Sequence, residues 1–150
     1  AEALEGPFRL RRLVLVRHPL RIYASMLKVP QYHAAQVEGT FSAAALVRGY
    51  HAYLDSAGDL PRLRYEDLVA APEATMRRAC AVLGLPFDPG FVAARRDFDR
   101  VTGAVFPDIR RAKDEIAVLE DHPTAPRAAE ELATCEGYRS LLERLGYAAR

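Results

Sequence analysis

The stretch Leu13-Val14-Leu15-Val16 is an unbroken aliphatic run, closed by Arg17-His18-Pro19 and followed by a helical pattern. Charged Arg11-Arg12 precedes it, so the run is too short for a helix and predicts a strand buried on both faces. Pro19 suits the first turn of a helix, where a missing N–H costs nothing. In an open α/β sheet, ligands gather outside the carboxyl ends of the strands. A helix that follows such a strand presents unpaired N–H groups and a positive dipole end to a phosphate. Arg17 stands at that place. Its guanidinium suits two parallel hydrogen bonds to a phosphate, and Ser25, on the helix that follows, adds a hydroxyl donor.

The rest of the chain predicts alternating α and β elements with helices dominating. The first helix runs from Pro19 to about Lys28 and ends at Val29-Pro30, because the residue before a proline is pushed out of α geometry. Gln31 to Thr40 shows no clear period. From Phe41, with Ser42 or Thr40 as N-cap, Ala45, Leu46, Gly49, Tyr50, Tyr53 and Leu54 recur at helical spacing as far as Ala57-Gly58. Tyr50 and Tyr53 read as packing residues. Leu60 to Leu68 predicts a second strand, with Leu63 and Tyr65 on one face and Arg64 and Glu66 on the other. A strand, helices and a strand favour a parallel, right-handed crossover. Glu66 and Asp67 then point to opposite faces, which favours pairing with backbone or with Arg17, Arg21 or Arg64 over a shared acid–base site.

Ala71-Pro72-Glu73 opens a helix with Met76, Ala79, Cys80 and Leu83 inward, and Gly84 stops it. Phe87 to Phe98 predicts another, with Arg95, Arg96 and Arg100 on a solvated end. Pro123 and Pro126 precede one last amphipathic helix through Leu132, Cys135, Tyr138, Leu141, Leu142 and Leu145, which caps the sheet.

At 150 residues, half of them hydrophobic and 27% charged, the chain can bury one ordinary core, and 1–150 is expected to be a single domain. No apolar run approaches the ~20 residues of a membrane span and no basic-then-apolar leader opens it, so a soluble, cytoplasmic protein is expected. A net charge of +1 argues against a nucleic-acid partner. Nineteen Arg stand against two Lys, a skew that base composition explains better than anion binding. Cys80 and Cys135 are far apart and no His lies at ligand spacing, so neither a disulfide framework nor a metal is indicated. His18 reads as a turn residue rather than a catalytic one.

Three blocks in order resemble one family. Val16-Arg17-x-Pro19 with Ser25 resembles the 3′-phosphate segment of sulfotransferases that use 3′-phosphoadenosine 5′-phosphosulfate (PAPS). Leu63-Arg64-Tyr65-Glu66-Asp67-Leu68, then Pro72-Glu73, then Val82-Leu83-Gly84-Leu85-Pro86-Phe87 is similar to the strand, helix and turn of that family. Leu141 to Tyr147, ending Leu145-Gly146-Tyr147, resembles its tail.

The resemblance implies an α/β fold, a partial P-loop-like parallel sheet with two strands evident, covered by several helices. It implies that Arg17 and Ser25 bind the 3′-phosphate of PAPS and that Tyr65 contacts the adenine. The reaction implied is sulfuryl transfer to a hydroxyl or amine of a small-molecule or glycan acceptor, with Gln31 to Thr40 helping to shape the acceptor site. Arg110, Arg111 and Lys113 fall where the family closes a basic loop over the cofactor, without matching its pattern. The family's phosphosulfate loop and usual base precede the Arg/Ser segment. Ala1 to Val16 carry neither, and no Gly-Lys-Ser/Thr pattern occurs anywhere in the chain. The catalytic base is therefore unassigned, and the chain resembles the carboxyl-terminal part of a sulfotransferase domain lacking its amino-terminal segment. Two other classes remain open on the residues: a non-catalytic nucleotide- or phosphate-binding module, and a P-loop kinase-like fragment.

Overall fold

The computed structural model describes residues 10–29, 32, 38–39, 41–91 and 123–148. Strands β1 (Val14–Val16) and β2 (Arg62–Arg64) form a parallel pair, with Val14 opposite Arg62, Leu15 opposite Leu63 and Val16 opposite Arg64. Among the described residues, six helices accompany them: α1 (Pro19–Met26), α2 (Ala43–Ala57), α3 (Tyr65–Ala70), α4 (Pro72–Leu83), α5 (Ala125–Ala133) and α6 (Tyr138–Leu145). The fold is α/β, as the sequence predicts.

Val14 and Val16 point into a core shared with Tyr23, Ala24 and Leu27 of the α1 segment, Val47, Tyr50 and Leu54 of α2, Ala128 and Leu132 of α5, and Leu141 and Leu145 of α6. Burial is one-sided, however. Leu15 is 48% exposed between two buried valines, so β1 has one packed face rather than two. Period-2 alternation turns Leu15 away from the core, toward a cavity that it lines with residues of α1 and α2.

The helix limits follow local chemistry. Pro19 occupies the first turn of α1, and the Ser42 hydroxyl accepts the Ala45 N–H at 3.1 Å to start α2. Gly58, at φ 54°, ends α2. The second strand is shorter than expected: it stops at Arg64, and Tyr65 already belongs to α3. Glu66 and Asp67 in the first turn of α3 suit the positive end of the helix dipole, which favours helix over continued strand. Ala71, kept out of α geometry at φ −141° and ψ 71° because it precedes Pro72, separates α3 from α4. In α4 the fully buried positions are Thr75 and Ala79; Met76, Cys80 and Leu83 are half-buried. The Thr75 hydroxyl donates to the Asp67 carbonyl at 2.9 Å and ties α4 to α3.

The expected last helix is two. Gly137, at φ 81°, breaks it, and Pro126 lies inside α5 instead of before it. The Thr124 hydroxyl donates to the Ala24 carbonyl at 2.6 Å, and the Tyr23 hydroxyl donates to Glu131, so α5 is fastened to α1 from both sides. Arg62 donates to the Arg144 carbonyl at 2.9 Å, which ties the end of α6 to β2. Arg144 in turn bonds His51 Nδ1 at 2.8 Å and Asp55 at 2.6 Å. An arginine only donates, so His51 Nδ1 accepts, and Nε2 carries the hydrogen that reaches the Gly137 carbonyl at 3.0 Å. The predicted helix Phe87 to Phe98 lies mostly outside the described residues.

Candidate functional site

The site is built at the carboxyl end of the parallel pair. Arg17 follows β1 directly, and Arg64, the register partner of Val16, closes β2, so two guanidinium side chains leave the same edge of the sheet. The Arg17 backbone is held by one side chain of α2. The Tyr50 hydroxyl accepts the Arg17 N–H at 2.9 Å and donates to the Arg17 carbonyl at 2.8 Å. Burial pushes the Tyr50 phenol up, so it keeps the proton that it donates.

The Arg17 guanidinium lies over the Tyr65 ring, 4.5 Å from its centroid, and Nε is buried with no partner among the described residues. A guanidinium over an aromatic face is held by cation–π attraction, and a buried donor without an acceptor carries a desolvation cost that an incoming anion relieves. Arg17 and Tyr65, expected to serve one ligand, are thus in contact. Ser25 is half-buried in the last turn of α1, six residues and about 9 Å of helix rise beyond Pro19. It shares no hydrogen bond with Arg17 or Tyr65.

The expectation of free N–H donors at the start of α1 is overturned. Pro19 has none, and the Leu20 N–H is taken by His18 Nδ1 at 3.2 Å. The His18 N–H donates to Glu66 Oε1 at 2.9 Å, and the Arg21 N–H to the His18 carbonyl at 2.9 Å. The N–H groups of His18, Leu20 and Arg21 are thus all engaged within the turn. His18 is the N-cap of α1; its Nδ1 accepts, so its hydrogen is on Nε2. Burial lowers the His18 pKa, helped by Arg21 and Arg64 and opposed by Glu66.

Glu66 is the hub of a second cluster. Oε1 accepts from the His18 backbone, and Oε2 accepts from the Tyr147 hydroxyl at 2.6 Å. Burial alone would raise the Glu66 pKa; the hydrogen bonds from Tyr147 and His18, with Arg64 nearby, outweigh it and leave the carboxyl below its ordinary value. The Tyr147 phenol is raised, by burial first and by Glu66 second. Its ring packs on the His18 ring at 4.5 Å between centroids and beneath the Arg64 guanidinium at 4.2 Å. Arg64 Nε is also buried without a partner among the described residues. Asp67 bonds Arg78 at 3.3 Å while Glu66 bonds the His18 backbone and Tyr147, so the two carboxylates have separate partners.

Tyr147 and Arg64 were not legible as site residues in the sequence. The signal for Tyr147 lies in Leu145-Gly146-Tyr147: Gly146, at φ 73°, ends α6 in the left-handed region and turns Tyr147 back, its N–H bonding the Leu142 carbonyl at 2.9 Å. Arg64 was hidden by the overlong strand.

A cavity of about 530 Å³ opens beside Arg17 and Tyr65, with Leu15, Ile22, Met26 and Phe41 among its apolar walls. Of Gln31 to Thr40, only residues 32, 38 and 39 are described, and Arg110, Arg111 and Lys113 lie outside the described residues. Among the described residues, no group of three His, Cys, Asp or Glu side chains is placed to hold a metal, and no helix is long and apolar enough to cross a membrane.

A sequence model described as the sulfotransferase family matches residues 11–89, from Arg11 through the turn after α4. No curated protein and no solved structure matches the chain.

Proposed function

The chain belongs to the sulfotransferase family, whose chemistry is sulfuryl transfer, and on that premise we propose that Arg17, Ser25 and Tyr65 hold the nucleotide end of PAPS. The observation that carries this reading is the Arg17 guanidinium, stacked on Tyr65 with a buried, unpartnered Nε, on a backbone pinned by Tyr50. A flat cation beside a half-buried aromatic ring suits a ligand that joins a phosphate to a purine ring. Arg17 takes the 3′-phosphate, Tyr65 the adenine, and Ser25 a further phosphate oxygen.

Held there, PAPS would supply a sulfuryl group whose bond to the phosphate oxygen is exchanged for one to an acceptor oxygen or nitrogen, the acceptor proton going to a base. Arg17 and Ser25 contribute by position: anchoring a remote phosphate spends binding energy on orienting the reacting centre. On this reading the acceptor is a hydroxyl or amine of a small molecule or glycan, and residues 1–150 form the carboxyl-terminal part of a sulfotransferase domain. The order of the three sequence blocks supports the latter, and so does the absence of a Gly-Lys-Ser/Thr loop from the chain.

Ligand-observed NMR with 3′-phosphoadenosine 5′-phosphate (PAP) beside adenosine 5′-monophosphate tests the reading. Saturation transfer to PAP but not to the monophosphate, lost in Arg17→Ala, is expected. Equal transfer to both ligands, or transfer that survives Arg17→Ala, removes the 3′-phosphate role. PAP binding by a chain that transfers no sulfuryl group in any context would instead make it a nucleotide-binding module.

A further inference from the structure

Two clusters meet at the Arg17–His18 turn. On one side is Arg17 over Tyr65; on the other, Glu66 receives the His18 N–H and the Tyr147 hydroxyl on its two oxygens. The His18 peptide is the first one after Arg17, so whatever fixes the His18 N–H fixes the direction in which the Arg17 side chain leaves the sheet. Two residues do this: Tyr50 holds the N–H and C=O of Arg17, and Glu66 holds the next N–H. Glu66 has one oxygen on His18 and one on Tyr147. Without the Tyr147 hydroxyl, Oε2 loses its side-chain hydrogen bond and the carboxylate is less firmly oriented.

The Tyr147 ring adds a second restraint. It packs against the His18 ring at 4.5 Å and carries the Arg64 guanidinium at 4.2 Å, which keeps that cation beside the carboxylate. Tyr147 comes from the tail after α6, 81 positions from Glu66, and it reaches the turn only because Gly146 reverses the chain. We propose that Tyr147 is a positioning residue for Arg17, acting through the Glu66 carboxylate, so that affinity for the 3′-phosphate depends on the docked tail. This rests on the assignment of Arg17 to the phosphate.

The test uses the full chain with Tyr147→Phe, Tyr147→Leu, Glu66→Gln and the Tyr147→Phe/Glu66→Gln double variant. Melting curves set a temperature at which every variant is folded, and PAP affinity is then titrated there by NMR. Tyr147→Phe keeps the ring and loses the hydroxyl; it is expected to weaken PAP about tenfold, the size of one hydrogen bond to a charged group. Tyr147→Leu should weaken it further. In the Glu66→Gln background Tyr147→Phe should add less than about twofold, because the path is already cut. In the ligand-free protein, the Arg17 Nε–H resonance should move in Tyr147→Phe.

Variants that melt earlier yet bind PAP like the parent, with the Arg17 resonance unmoved, give Tyr147 a purely architectural part and overturn the proposal. Fully additive losses in the double variant overturn the route through Glu66. If Arg17→Ala abolishes PAP binding while the Tyr147 variants bind normally, this inference fails and the phosphate assignment of Arg17 stands. A parent chain that ignores PAP removes both.

Discussion

The hydroxyl of Tyr50 closes a two-way bridge on Arg17, receiving its N–H and giving a proton to its carbonyl across 33 positions of sequence. A strand end is thereby satisfied by a helix side chain instead of a neighbouring strand. Tyr50→Phe keeps the buried ring and strands both backbone groups. It should cost about 1–3 kcal/mol in urea-melt stability and weaken PAP binding. Unchanged stability would show that water replaces the hydroxyl at no cost.

Arg17→Lys separates charge from shape. An ammonium keeps the positive charge but has neither the planar stack on Tyr65 nor the paired donors. PAP affinity in this variant should fall well below that of the parent, nearer to Arg17→Ala. An isothermal titration in which the lysine variant matches the parent would reduce the role of Arg17 to simple charge.

Acidification should loosen the site in two stages. His18 has a folded-state pKa below its ordinary 6.5, chiefly through burial, so the unfolded chain takes up the proton more readily. Its stabilising effect is present above pH 6.5 and is lost as pH falls from there through the lowered value. Protonation also costs Nδ1 its capping bond with the Leu20 N–H. Glu66, lowered from 4.5, adds a second loss below that pH. Arg21 and Arg64 face His18 and reinforce its lowered pKa; Glu66 opposes it. Melting temperature against pH should be flat above 7 and fall below 6.5. His18→Asn, which retains a capping oxygen, should erase the first stage.

Gly146→Ala tests the turn that brings Tyr147 home. An added Cβ meets nothing within 4 Å, so the cost is the backbone conformation alone, at φ 73°. A loss of about 1–2 kcal/mol is expected. A neutral substitution, read by urea melts, would mean that the tail turn relaxes without penalty.

Leu132 tests the attachment of α5. It is fully buried, and truncating it leaves a cavity that only partial collapse can fill. Leu132→Ala should destabilise the fold by roughly 2–5 kcal/mol, again read by urea melts. A loss below about 1 kcal/mol would indicate that α5 is only loosely held, despite Thr124 and Tyr23.

What the sequence made legible was local. The aliphatic run, the proline after it and Ser42 specify β1, the start of α1 and the start of α2 through rules that act within a few residues. Arg17 was legible for the same reason, since it ends an apolar run before a helix. Tyr65 was read into a strand but opens α3, because the preference of Glu66 and Asp67 for a helix start competes with the alternation of Leu63 and Tyr65, and its contact with Arg17 appears only in the fold. The tail cluster was not legible as a site: pairing Tyr147 with Glu66 requires knowing how α6 lies against β2, which rests on Arg62 reaching the Arg144 carbonyl. The break at Gly137 escaped because apolar spacing continues across it while the backbone does not.

The parallel register of Val16 with Arg64 has a consequence for how ligands would be detected. Arg17 and Tyr65 are 48 positions apart and meet only while the strand pair is intact. A nucleotide with its phosphate on Arg17 and its purine on Tyr65 would act as a staple across that loop, and the unfolded chain offers no equivalent grip. Saturating ligand at a hundred times its dissociation constant would therefore raise unfolding free energy by about 2.7 kcal/mol through mass action alone. Screening candidate nucleotides by thermal shift thus reads site occupancy directly from the closure of the sheet.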